Sequence, residues 1–173
     1  TRGSLSEFNY RMPGYGGGSD HMMFIDRKIP GIMIVHGPDY THHTTEDTPD
    51  KVDPVELERA EVIATGTMVY LGDLEGAAAR DLVYLAAANA LERLGKAGRR
   101  AFQLVNEAPP DLLSQKFGEA KTIVDDNVRV EKQCLASTLW FSSDESVRRD
   151  IDVFQKQLDG YAKALNEQIV QVV

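Results

Sequence analysis

The residue types change abruptly near residues 72–76, and this change constrains the fold more than any other feature of the sequence. All four histidines and five of the seven prolines lie in the first 54 residues, together with a glycine-rich loop at residues 14–18. Beyond residue 73 the chain contains no histidine and is rich in Ala, Leu, Val, Glu, Lys and Arg, most of which favour helices. The sequence therefore predicts two domains, residues 1–75 and residues 76–173.

The second domain is predicted to be a helical bundle or hairpin, because its apolar residues recur at spacings of three and four. Gly95 and Gly98 are predicted to end the first helix, and the last helix carries a nearly heptad stripe that needs a long partner helix to cover it. That stripe also motivates a homodimer through the C-terminal helices. The stripes comprise Val83, Ala87, Ala90, Leu91 and Leu94; then Leu113, Phe117, Ala120, Val124 and Val128; and finally Val147, Ile151, Phe154, Leu158, Tyr161, Leu165 and Val172.

The first domain has the pattern of an α/β fold. Ser19 or Asp20 is placed to cap a short helix, and residues 31–35 form a short apolar run typical of a strand buried on both faces. Asp53 and Pro54 form the cap and first position of a longer helix. We therefore expect an α/β N-terminal part followed by an all-α region, with helix predominating overall.

Composition excludes several classes of protein. Twenty-seven acidic against nineteen basic side chains leave a net charge of -8, which argues against nucleic acid or an anionic membrane as the main partner. A single cysteine cannot form an internal disulfide. No run of about eighteen apolar residues is present to span a bilayer.

The crowding of histidines into one irregular segment suggests a reactive site, since histidine is the commonest metal ligand. His42 and His43 are adjacent, so in an extended loop their rings would point to opposite sides and at most one would reach a given metal. The residues by themselves leave two interpretations open: histidines that make hydrogen bonds within a loop, and histidines that bind zinc.

Three ordered motifs favour the second interpretation. They are GGSDHMMF at residues 17–24, IPG at residues 29–31 and HTTEDTPDKVDP at residues 43–54. Their order and spacing resemble the C-terminal part of the zinc-dependent peptidases of family M28, which include bacterial leucyl aminopeptidases and glutamate carboxypeptidases and have glutaminyl cyclases as relatives. The resemblance covers roughly the first seventy-two residues. It implies the closing piece of an α/β/α sandwich, to which this chain adds a C-terminal helical region.

The resemblance also implies roles for individual residues. His43 corresponds to a histidine ligand of one of two zinc ions, and Asp47 and Thr48 correspond to groups that shape the loop and support that ligand. Asp20 and His21 correspond to an Asp-His pair that lines the site; the alternative for Asp20 is a plain helix cap. The general base, a glutamate in the family, is missing from this chain, which contains neither the His-x-Asp nor the Glu-Glu motif of the upstream ligands.

The resemblance implies a secreted or periplasmic zinc aminopeptidase that hydrolyses peptides. The chain starts at Thr1 without an initiator methionine or a signal peptide, so we expect it to be a piece of a longer enzyme that is inactive by itself and needs the N-terminal part of its catalytic domain. The alternative is a helical interaction or dimerisation module attached to a peptidase-like or glutaminyl-cyclase-like domain.

Overall fold

The computed structural model describes residues 10–12, 14, 16–29 and 31–172, apart from the side chain of residue 172. By its internal contacts the chain divides into two compact units, Thr1–Val69 and Tyr70–Val173, which we call the N-terminal unit and the C-terminal unit. The predicted domains, 1–75 and 76–173, stay a prediction, because contacts do not measure independent folding. The α-helices are α1 (His21–Ile25), α2 (Pro54–Gly72), α3 (Gly76–Asn106), α4 (Leu113–Ser137) and α5 (Glu145–Val172), with short 3-10 helices at Pro49–Lys51 and Thr138–Trp140.

The predicted α/β fold class is wrong. Within the ranges that the structure describes there is no strand, and every regular element is helical. Residues 31–35, predicted as a buried strand, adopt no regular structure, and Ile32 and Val35 are 75% and 67% exposed. An apolar run becomes a buried strand only when neighbouring strands complete its hydrogen bonds, and the described residues provide none.

Helix α2 begins as the sequence predicts. The Oδ1 atom of Asp53 accepts hydrogen bonds from the backbone N–H groups of Val55 (2.8 Å) and Glu56 (3.4 Å), and Pro54 occupies the first helical position. Toward its end the helix is apolar on nearly every side, yet none of its residues is buried. The same holds for the other described residues of the N-terminal unit, so the part of this unit that the structure describes has no core of its own.

The C-terminal unit is a bundle in which α3, α4 and α5 each contact the other two. Two connections, residues 107–112 and 138–144, are short, and the α4–α5 contacts Lys132–Asp159 and Asp125–Asn166 progress in opposite directions along the two helices. These two helices are therefore antiparallel. The core consists of small and aliphatic side chains, the largest fully buried being Leu74, Leu94, Leu135, Leu158, Ile169, Val83, Val124 and Val147.

Most of the described residues predicted to form the apolar stripes are buried or half-buried in the core, but two of them are not. Leu91 and Tyr161 were predicted to face the core, but both are exposed, and Ala162 is buried in place of Tyr161. The buried positions along α5 keep steps of three, four and seven residues, and the helix contacts both α3 and α4. Those positions are Val147, Ile151, Leu158, Ala162, Leu165 and Ile169, with Phe154 half-buried.

Gly95 and Gly98 do not end α3, which continues to Asn106. A Cβ atom at Gly98 would lie 2.9 Å from Cδ2 of Leu165, whereas one at Gly95 would meet nothing within 4 Å. Gly98 therefore allows α3 and α5 to approach closely, and the glycine that looked like a helix stop has a packing role.

Polar contacts also join the helices of the bundle. The guanidinium of Arg93 donates two hydrogen bonds of 2.6 Å to the buried carboxylate of Glu131, joining α3 to α4. Arg80 donates to Asp150 at 2.7 Å and joins α3 to α5. Because a buried carboxylate is tolerated only with such partners, the Arg93–Glu131 pair favours one register of these two helices.

The start of α5 is capped by the side chain of Asp144. Asp144 Oδ1 accepts a hydrogen bond of 2.8 Å from the backbone N–H of Ser146. This hydrogen bond is the largest of the interactions that hold the pKa of Asp144 below its ordinary value.

Candidate functional site

The candidate site residues lie on two segments of the N-terminal unit. Asp20 and His21 lie at the start of α1, while His43, Asp47 and Thr48 lie in the loop that leads from residue 36 to α2. All of them except His21 are exposed, so their side chains are available to a ligand or to another polypeptide.

At the start of α1, Asp20 occupies the N-cap position but its side chain makes no capping hydrogen bond. The predicted side-chain cap by Ser19 or Asp20 is therefore wrong; their backbone carbonyls accept from Met22 and Met23 instead. The half-buried ring of His21 makes a 2.8 Å hydrogen bond from Nε2 to the carbonyl oxygen of Gly16. Because a carbonyl only accepts, Nε2 carries the proton in this contact.

The backbone of residues 16–18 lies against the first turn of α1. The backbone N–H of Gly18 contacts the sulfur of Met22 at 3.0 Å, and a Cβ atom at Gly17 would lie 3.2 Å from the same sulfur. Gly18 has a φ of 100°, a backbone torsion that residues other than glycine rarely adopt. The glycines of this loop therefore permit a close approach to α1.

The loop around His43 is organised by Asp39. One oxygen, Oδ1, accepts three hydrogen bonds of 3.1 Å, from the backbone N–H and hydroxyl of Thr41 and from the backbone N–H of His42. The hydrogen bond from the Thr41 backbone contributes most to holding the pKa of Asp39 below its ordinary value, followed by that from the Thr41 hydroxyl. The carboxylate is thus kept ionised where it anchors the loop.

His43 itself has a φ of 62°. The backbone N–H of Thr44 donates to the carbonyl of Thr41 at 3.0 Å, which closes a turn with His42 and His43 at its two central positions. The two rings stack with their centroids 3.8 Å apart and their planes at 27°. The prediction that the two rings point to opposite sides is wrong, because it assumed an extended loop, and a turn with positive φ at His43 brings both rings together.

Asp47 and Thr48 follow this turn. The backbone N–H of Asp47 donates to the carbonyl of Thr44 at 3.3 Å, but its carboxylate has no hydrogen-bond partner within the described ranges. The hydroxyl of Thr48 donates to Asp50 Oδ1 at 2.5 Å, which is the main reason that the pKa of Asp50 is lowered. Thr48 therefore shapes the loop before α2, and the supporting role of Asp47 stays a prediction.

These residues were tested for their fit to zinc, which binds about three or four protein ligands in a closed or catalytic site. Across residues 10–12, 14, 16–29 and 31–172, no group of three or more His, Cys, Asp or Glu side chains could hold a metal ion. His43 offers one imidazole. The described residues therefore do not form a zinc site by themselves.

The ordered motifs and the loop that presents His43 lie within one segment that is similar to a known family. Residues 4–68 match the model of peptidase family M28. The match supports membership of this peptidase family for the N-terminal unit, and it includes every candidate site residue. It covers well under half of the chain and ends before the bundle. No curated protein and no solved structure matches the chain.

Two features of the site were missed from the sequence, namely the anchoring carboxylate of Asp39 and the stacking of His42 on His43. The first has a local signal, because an aspartate followed two residues later by threonine is typical of turns in which the carboxylate accepts backbone hydrogen bonds. The second depends on one backbone torsion at His43 and has no signal in the sequence. As a separate finding, none of the helices in the described ranges is long and apolar enough to cross a membrane.

Proposed function

We propose that the N-terminal unit is part of the active site of a zinc-dependent peptidase and that the remaining zinc ligands come from polypeptide other than the described residues. The observation that carries this proposal is the match of residues 4–68 to a peptidase family, since it covers all three motifs and the turn of His43. The lack of a ligand group among the described residues fits a site that is only partly contributed by this segment.

In this proposal His43 is the metal ligand. Its ring is exposed at a turn that is held by five hydrogen bonds to Asp39 and Thr41, so the imidazole is presented from a defined position. Asp20 and His21 line the site from the start of α1, and Asp47 and Thr48 shape the loop next to the ligand. Two zinc ions, supplied with their other ligands, would provide the activated water for peptide hydrolysis.

The proposed activity is that of an aminopeptidase, secreted or periplasmic, with peptides as substrates. The proposed general base is a glutamate outside this chain, so we expect no peptidase activity from these 173 residues alone. The competing activity is glutaminyl cyclisation, because the family that the motifs resemble has glutaminyl cyclases as relatives.

The test uses the intact zinc-containing enzyme to which this segment belongs, with His43→Ala as the variant and His36→Ala as the matched control. His36 is another exposed histidine of the same unit and has no role in the proposed site. We expect His43→Ala to lose zinc, measured by elemental analysis, and to lose at least 100-fold in the hydrolysis of aminoacyl anilides, because one ligand is removed.

His36→Ala should keep both the zinc content and the rate of the unmodified enzyme. Unchanged zinc and unchanged hydrolysis in His43→Ala would contradict the proposal. If the enzyme converts a peptide with N-terminal glutamine to its cyclic product and does not hydrolyse the anilide, its activity is that of a glutaminyl cyclase and not of a peptidase.

The C-terminal unit is proposed as a helical accessory domain of this enzyme. The alternative function, a dimerisation module, was motivated by the nearly heptad face of α5. Val147, Leu158 and Leu165 of that face are buried against the other helices of the same bundle. A homodimer through the C-terminal helices would therefore have to use other faces of the bundle, and it stays a prediction.

A further inference from the structure

The backbone conformation of His43 needs an explanation that lies outside the residue itself. A φ of 62° is in the left-handed region, which residues with a side chain adopt rarely and which glycine and asparagine adopt most easily. Histidine is one of the residues that adopt this region more often than most, but the conformation still costs free energy, so hydrogen bonds that close the turn stabilise it.

Two sets of hydrogen bonds flank His43. On its N-terminal side, Asp39 Oδ1 accepts from the backbone N–H groups of Thr41 and His42 and from the Thr41 hydroxyl, all at 3.1 Å. On its C-terminal side, the hydroxyl and the backbone N–H of Thr44 both donate to the carbonyl of Thr41, at 2.6 Å and 3.0 Å. Thr41 belongs to both sets, so the Asp39 carboxylate is linked through one residue to the closure of the turn.

The role of Asp39 is purely local in its contacts. The side chain is exposed and is not itself part of a group that could hold a metal among the described residues. Its three hydrogen bonds all go to the two residues that immediately precede His43. Removing the carboxylate would free both N–H groups to solvent and would leave only the Thr44 contacts to hold the turn.

We propose that Asp39 is the positioning residue for His43, whose carboxylate holds the 41–44 turn in the conformation that stacks His43 on His42 and presents its ring for binding. The proposal rests on the proposed role of His43 as a zinc ligand. It predicts that Asp39 affects zinc binding through the geometry of His43 and not by contacting the metal.

The first measurement is zinc affinity, obtained by competition with a chelator in the intact enzyme for the variants Asp39→Ala, Asp39→Asn and His43→Ala. We expect Asp39→Ala to bind zinc roughly 10- to 100-fold more weakly, the usual effect of removing a group that orients a metal ligand. Asp39→Asn keeps an acceptor oxygen at the same position and should recover most of that loss. Asp26→Ala is the matched control, because Asp26 is an exposed carboxylate of the same unit without a side-chain hydrogen bond in the described residues.

The second measurement is independent of zinc. In the metal-free enzyme with isotope-labelled histidine, stacking on His42 shifts the ring proton resonances of His43, and the amide–alpha proton coupling reports its φ. Asp39→Ala should move both toward the values of an unstructured histidine, while Asp39→Asn and Asp26→Ala should leave them nearly unchanged. If Asp39→Ala unfolds the protein, so that its spectrum is lost, the double variant Asp39→Asn and Thr41→Val is measured instead. Thr41→Val removes the hydroxyl donor but keeps the backbone N–H.

The outcomes separate this inference from the proposed function. If His43→Ala loses zinc while Asp39→Ala binds zinc like the unmodified enzyme, the inference is overturned and the peptidase proposal stands. If His43→Ala keeps its zinc, the proposed function fails, and unchanged His43 resonances in the Asp39 variants would then overturn the positioning role as well. If Asp39→Ala alters the His43 resonances and weakens zinc binding, and His43→Ala loses zinc, both the positioning role of Asp39 and the proposed function are supported.

Discussion

The two units use apolar side chains in opposite ways. In the C-terminal unit Leu94, Leu135 and Leu158 are fully buried between helices, whereas in the N-terminal unit Met68 and Val35 are each 67% exposed. Both units contain long helices, so helix formation does not account for the difference. Residues 70–173 bring together three amphipathic helices that cover one another, while α2 has no helix of comparable length within the described part of its own unit.

This contrast teaches that the two units differ in the source of their stability. Burial of apolar surface contributes about 25 cal/mol for each Å² removed from water. Among the described residues, those with buried aliphatic side chains all lie in the C-terminal unit. Within the described ranges, no residue of the N-terminal unit is buried, so its apolar side chains contribute little through burial.

The largest expected effect comes from separating the units. Residues 70–173 alone should unfold cooperatively with heat, as a helical protein with one core, because the whole core cluster lies within them. Residues 1–69 alone should show little cooperative unfolding and should bind a dye for exposed apolar surface. Circular dichroism and dye fluorescence measure the two properties, and a sharp thermal transition in residues 1–69 would remove the contrast.

A smaller effect is expected from truncating single side chains. Leu158→Ala should lower the free energy of unfolding of the C-terminal unit by about 2–5 kcal/mol, because it leaves a cavity at a position that is only 1% exposed. Met68→Ala should change the free energy of unfolding of the whole chain by less than about 0.5 kcal/mol, because this side chain already faces solvent. Urea denaturation followed by circular dichroism compares them, and equal losses would argue that α2 is packed as firmly as α5.

Glycine-to-alanine substitutions sharpen the same comparison inside α3. Gly95→Ala meets nothing within 4 Å and should stabilise the bundle by about 0.5–1 kcal/mol through helix propensity. Gly98→Ala, three residues later in the same helix, has the same gain in propensity, but its added methyl group would lie 2.9 Å from Cδ2 of Leu165, which must shift. Relative to Gly95→Ala it should therefore destabilise the bundle by about 1–3 kcal/mol. Thermal melting of the two variants provides the check: a lower melting temperature is expected for Gly98→Ala, and equal melting temperatures would contradict the close approach of α3 and α5.

The smallest effect concerns acid. The pKa of Asp144 is lowered chiefly by the backbone hydrogen bond from Ser146, so its charged form is favoured in the folded state. A lowered pKa contributes stability above the unfolded value of 3.8, and that stability is lost as the pH falls through the folded pKa. Asp144→Ser keeps a capping oxygen without a titrating group and should therefore weaken the loss of bundle stability as the pH falls below 3.8. Urea denaturation curves at several pH values measure this effect. If the variant loses stability in acid as much as the unmodified protein does, Asp144 does not contribute to that loss.

Much of the bundle could be predicted from the sequence, because amphipathic spacing is a property of neighbouring residues along one helix. Val83, Val124 and Val147 were placed in the core on that basis and are fully buried. The spacing could not tell that Leu91 and Tyr161 face solvent, since an apolar residue at the edge of a stripe is buried or exposed according to where the partner helices lie.

For the candidate site, the residue types and their order pointed to a peptidase family, and the family match over residues 4–68 supports this. The positive φ of His43, its stacking on His42 and the anchoring by Asp39 were not predicted. They depend on backbone torsions and hydrogen bonds of a short irregular loop, where no periodic pattern constrains the conformation.

The sequence by itself determined the helical character of the C-terminal region, the cap of α2 by Asp53, and the family that the first motifs resemble, because each of these depends on residues close together in the chain. Only the tertiary structure decided that residues 31–35 are not a strand, that Gly98 is a packing contact and that Asp39 anchors the turn of His43. Each of these depends on which atoms meet in space: a strand needs a neighbouring strand, a close contact needs a second helix, and a turn needs its hydrogen bonds closed.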